Sequence, residues 1–142
     1  MSDGRFDTSG LTPPESWDEL VSLREFLISY GGAVREKEDQ EYYDLFSKII
    51  PRELTLRLIQ EQLQDKEAVL VKNPFPYSYV LQKLPWVKHY LLWCRNQHIT
   101  KEQVDEVVRA KFPNADYFYF ETAIGNKSVP EIFHLHVFVH SK

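Results

Sequence analysis

The stretch Ile132-Phe133-His134-Leu135-His136-Val137-Phe138-Val139-His140 decides how this chain is read. It is apolar, rich in aromatic and β-branched residues, and alternates with a period of two, which is the pattern of a β-strand. Successive side chains of a strand point to opposite faces, so Phe133, Leu135, Val137 and Val139 share one side, and His134, His136, Phe138 and His140 the other. The first side is a core face. The second carries imidazoles, which donate and accept hydrogen bonds near neutral pH and can hold a phosphate or a metal ion. On a regular strand His134 and His136 stand about 6 to 7 Å apart at Cα, close enough to touch one such ligand.

Working outward, Tyr117 to Thr122 predicts the preceding strand. Thr100-Lys101-Glu102-Gln103 predicts a capping box that opens a helix through Val104, Val107, Val108 and Phe112, stopped by Pro113-Asn114. Val87 to Trp93 predicts another strand, with His89, Leu91 and Trp93 on one face. Ala68 to Val71 predicts a short strand, cut off by the prolines of Asn73-Pro74-Phe75-Pro76-Tyr77. The first half reads as helical. Ser16-Trp17-Asp18-Glu19 is a capping box, and Trp17, Leu20, Val21, Leu27 and Ile28 follow as one helix ended by Gly31-Gly32. A charged segment from Glu36 to Glu41 leads to a stripe of Tyr42, Leu45, Phe46 and Ile49 that stops at Pro51. A third helix is expected from Arg52 to Gln64, with Leu56, Ile59 and Leu63 inward; the alternation of Leu54, Leu56 and Leu58 leaves a strand reading open there. The order predicts an α+β domain: N-terminal helices followed by a β-β-α-β-β unit, forming a largely antiparallel sheet backed by helices. Residues 1–14 are expected to be a flexible arm and residues 15–142 a single domain, with the histidines presented where loops converge.

A length of 142 residues at 43% hydrophobic content suffices for one domain with a sizeable core. The chain has no apolar run long enough to span a membrane and its polar start lacks a signal-peptide core, so a cytoplasmic protein is expected. One cysteine excludes an internal disulfide framework and a multi-cysteine zinc site; Cys94, in Tyr90-Leu91-Leu92-Trp93-Cys94, reads as a buried inert thiol. The net charge of -4 is uneven. Residues 1–70 carry 15 acids against 8 bases, and residues 71–142 carry 6 against 9, so the histidine-bearing half is the better home for an anion. The basic excess is too sparse for nucleic acid.

His89 can join His134 and His136 if their strands are neighbours. The loop Gly125-Asn126-Lys127-Ser128 adds a cation, a hydroxyl and turn amides suited to a phosphate or carboxylate. Phe75, Tyr77, Tyr79, Trp86 and Trp93 either fill a core or stack on a ring. His98 is expected to be structural and His140 exposed. Three reactive schemes can be weighed. A strand of alternating histidines resembles the histidine-triad hydrolases, with His136 in the central, attacking position, although Phe138 stands where a third histidine would be. A cupin-like metal site could use His89, His134, His136 and Glu121. Serine catalysis lacks a Gly-x-Ser-x-Gly elbow.

Taken in order, several motifs resemble the fungal N-acetylglucosamine-induced protein family, whose shared domain has no assigned function. They are Ser16-Trp17-Asp18-Glu19-Leu20-Val21, Val69-Leu70-Val71-Lys72-Asn73-Pro74-Phe75-Pro76-Tyr77, His89-Tyr90-Leu91-Leu92-Trp93, Lys127-Ser128-Val129 and His134-Leu135-His136-Val137. The chain departs from the family pattern at Phe75, where tryptophan is usual, and at Ser78, where glycine is usual. The resemblance implies a cytoplasmic protein linked to amino-sugar response, and groups Asn73, Pro76, Tyr77, His89, Trp93, Lys127, Ser128, His134 and His136 around one pocket. The expectation is therefore a binder of a small anion, a phosphorylated sugar or nucleotide-sugar, gripped by Lys127, His134 and His136 and walled by Tyr77 and Trp93. If the chain is an enzyme, His136 is the expected nucleophile or general base and His134 its orienting or protonating partner. No cofactor is predicted; a divalent metal on His89, His134 and His136 is the alternative. A protein partner docking on the histidine face is a further one.

Overall fold

The computed structural model describes residues 12–30, 37–74, 76–121 and 132–140. Four helices come first: α1 (Trp17–Ser22), α2 (Arg24–Tyr30), α3 (Lys37–Ile49) and α4 (Arg52–Leu63). They are followed by β1 (Ala68–Lys72), β2 (Val87–Cys94), α5 (Lys101–Lys111), β3 (Asp116–Phe120) and β4 (His134–His140). The sheet order is β1-β2-β4-β3 and every pairing is antiparallel, which is the expected α+β, β-β-α-β-β architecture. The strand that ends the described chain lies inside the sheet, between β2 and β3.

Alternation along the strands works as predicted, but both faces are covered. Leu92, Leu135, Val137 and Val139 pack under α5 against Val104 and Val108, together with Cys94. On the opposite face, Phe120 and Phe138 join Leu20, Leu27, Tyr77 and Leu84 beneath the N-terminal helices. Farther along the same face, Leu91 and Trp93 pack against Ile59 and Leu63 of α4. Each of these large apolar side chains contributes about 1.5 to 3 kcal/mol by leaving water, so the sheet is held from both sides. The histidines accordingly do not emerge where loops converge. They lie in the middle of the second face, between the part covered by α1 and α2 and the part covered by α4.

The helical half differs from expectation in two places. The first helix is two helices, broken at Leu23, whose amide bonds back to Leu20 in a tightened turn (φ -87, ψ 2). Leu20 and Leu27 nevertheless enter the same cluster, so the apolar spacing runs through the break without registering it. The Gly31-Gly32 stop lies outside the described residues. The second difference is α3. Its apolar stripe is present, but the helix buries no residue, and Tyr42 (62%) and Ile49 (64%) are largely exposed. The strand alternative at Leu54, Leu56 and Leu58 is excluded by α4, which turns Leu54 and Leu58 to solvent and Ile59 and Leu63 inward. Of the expected arm, residues 1–11 lie outside the described residues, and Pro14 is already buried. No helix among the described residues is long and apolar enough to cross a membrane.

Candidate functional site

The register of the sheet brings the predicted histidines together. Leu91 faces His136 and Trp93 faces His134 across the β2–β4 ladder, while His89 faces Phe138. His89 and His136 are thus diagonal neighbours on one face, and His89 Nε2 lies 2.9 Å from His136 Nδ1. Exposure is 2% for His89, 4% for His134 and 6% for His136. Burial without a partner would be costly for such rings, and each has one. His134 Nδ1 lies 3.0 Å from the carbonyl of Ile132, and its ring packs on Trp93 at 4.5 Å. His136 stacks on Phe120 at 5.2 Å with planes 9° apart.

The segment between β1 and β2 completes the arrangement. Asn73 donates its amide to the His89 carbonyl (2.9 Å), extending the ladder by one residue, and its side-chain nitrogen lies 3.5 Å from His89 Nδ1 and 3.4 Å from Nε2. The chain bends at Pro74, and Tyr77 is placed with its ring edge-on to His89 at 4.6 Å. The Tyr77 amide donates to His89 Nδ1 at 3.2 Å. That one bond fixes the protons of the whole pair. An amide can only donate, so His89 Nδ1 is an acceptor and the proton of the neutral ring sits on Nε2. Nε2 must then donate to His136 Nδ1, which leaves the His136 proton on its own Nε2, 3.5 Å from the Tyr77 hydroxyl.

A cavity of about 380 Å³ adjoins this cluster, with α3 and α4 on one side and the sheet on the other. His134, His136, Asn73 and Trp93 reach it; His89, Tyr77 and Pro76 do not line it and stand behind the rings that do. Two lining cations, Arg52 at the start of α4 and Lys72 at the end of β1, were not foreseen, and none of the described lining residues is acidic. Lys72 was within reach of sequence reading, since it directly precedes the Asn73-Pro74 motif. Arg52 was not, because nothing in the sequence says that the start of α4 lies over the histidine strand.

Other predicted residues are placed differently. Lys127 and Ser128 lie outside the described residues, as does Phe75. Trp86 is half exposed and remote from the cavity lining, against the ring of His140. His140 was expected to be exposed; its ring packs on Trp17, and Nδ1 is buried with no hydrogen-bond partner among the described residues. His98 sits in an exposed turn, its amide donating to Asn96. The metal alternative on His89, His134 and His136 is not supported by the geometry. His89 Nδ1 and His136 Nδ1 already accept hydrogen bonds, and among the described residues no group of three or more His, Cys, Asp or Glu is disposed to hold a metal ion. Glu121, the carboxylate of the cupin-like variant, is exposed. The histidine face, where a docking partner was the further alternative, carries Leu20 and Leu27 of α1 and α2 on one part and Ile59 and Leu63 of α4 on another. Cys94 is the inert thiol expected, 2% exposed, with burial pushing its pKa up from 9.0 to about 12.

Comparison with known proteins finds the fold and little else. No family model and no curated protein matches the chain. The crystal structure of HTC1 is similar to it, with a TM-score of 0.55 and 19% identity over 89% of this chain and 85% of HTC1. Likeness at that identity speaks for a shared architecture alone.

Proposed function

We propose that this chain binds a small phosphorylated ligand, a phosphorylated sugar or nucleotide-sugar, in the cavity between α3, α4 and the sheet. The observation that carries this reading is the charge of the wall: Arg52 and Lys72 line it together with two histidines, and no described lining residue is acidic. A guanidinium and an ammonium facing one space favour an anion, and phosphate suits both. The proton order of the histidine pair supports binding over attack. His136 accepts on Nδ1 and holds its proton on Nε2, beside the Tyr77 hydroxyl, whereas a histidine-triad nucleophile would need a free lone pair on the ring. His134 and His136 are therefore assigned to ligand contact, with His89 and Tyr77 holding His136 in place. The resemblance to the N-acetylglucosamine-induced family supports a cytoplasmic role in amino-sugar response as the setting.

Thermal-shift and calorimetric titration with sugar phosphates and nucleotide-sugars tests this. A ligand present at 100 times its dissociation constant should stabilise the fold by about 2.7 kcal/mol. Arg52→Ala and Lys72→Ala should each weaken binding about tenfold, the loss of one charge-assisted contact. No shift with any phosphorylated compound at millimolar concentration would overturn the proposal.

A non-catalytic interaction module is the second reading, and one observation favours it: Tyr42, Leu45 and Ile49 of α3 face solvent. Replacing these three by polar residues should then abolish partner capture and leave ligand binding in place.

A further inference from the structure

We infer that the ligand of this cavity carries a flat aromatic ring as well as its phosphate, which places it in the nucleoside monophosphate class and apart from bare sugar phosphates. The inference rests on the anion-binding reading above and narrows it. Aromatic side chains line the cavity from both sides. Tyr43 and Phe46 come from α3, and Trp93, backed by the ring of His134 at 4.5 Å, comes from the sheet. Leu91 and Ile59 extend the apolar surface between them. A ring entering such a space gains stacking on π-faces and displaces water from apolar walls, and this gain is open to any base because every base has a π-face. A sugar phosphate has no ring to lay on these faces, and its hydroxyls find only what a nucleotide's ribose finds as well, polar side chains such as Ser47, Thr55 and Gln62. The volume, about 380 Å³, lies in the range of small-molecule sites. Arg52 and Lys72 take the phosphate, so the two ends of the ligand meet two different chemistries in one cavity.

α3 makes the inference testable without disturbing the core, since it buries no residue and Phe46 is 36% exposed. The experiment is isothermal titration of the full chain with adenosine and uridine 5′-monophosphates, ribose 5-phosphate and inorganic phosphate, repeated on Phe46→Ala. The nucleotides should bind at least tenfold more tightly than ribose 5-phosphate, and Phe46→Ala should remove most of that ratio. Ribose 5-phosphate binding as tightly as the nucleotides, or a ratio unchanged in Phe46→Ala, would overturn the aromatic assignment and leave the anion site standing. Failure of all four compounds to bind would overturn both.

Discussion

One backbone amide sets the chemistry of the cluster. Because Tyr77 N–H donates to His89 Nδ1, two buried rings are held as defined neutral tautomers, each protonated on Nε2. Nitrogen-15 spectra of the imidazoles at neutral pH should show this order; protonated Nδ1 on either ring would refute it. The Cys94 thiol gives a second residue-scale prediction. Its pKa is raised in the folded state, so its contribution to stability is complete below about pH 9 and is lost as pH rises toward 12, where the unfolded thiol is ionised and the folded one is not. Unfolding measured across that window should show a shallower decline in Cys94→Ala than in the parent chain; identical slopes would discount the buried thiol. Period-two spacing made the identities of His89, His134 and His136 legible in the sequence. Their burial was not legible, since alternation says which side chains share a face and nothing about what lies over it.

At the scale of elements, the clearest sequence signals were the caps. Thr100 and Gln103 form the full reciprocal box at the start of α5, with bonds of 3.1 and 2.8 Å, as their spacing indicates. Thr100→Ala should cost about 1 kcal/mol in urea unfolding, and a change within error would mean the box is redundant with packing by Val104 and Val108. Apolar spacing was a poorer guide. It read α1 and α2 as continuous because a one-residue tightening at Leu23 keeps Leu20 and Leu27 on the same side. It found the α3 stripe without saying what that stripe meets: Phe46, its least exposed member, lines the cavity and the rest faces solvent. Amphipathic spacing identifies a helix and an apolar side, but the surface that side meets is decided by the rest of the chain.

For the whole molecule, the layers depend on the central strands. Leu92 is fully buried under α5, next to Val137 and Val104, and Leu92→Ala should cost about 2 to 5 kcal/mol by leaving a hole that neighbours on both strands cannot close. A loss below 1 kcal/mol in chemical denaturation would show that α5 collapses onto the sheet. The sheet order also has a temporal side. Among the described residues β4 follows every other element in sequence, yet it bonds on one edge to β2 and on the other to β3, so a growing polypeptide holds two disconnected strand groups until β4 is made. His136 arrives with it. During synthesis, then, the ring pair and the cavity beside it both wait for the strand that joins those groups, and a nascent chain stalled before Leu135 has neither.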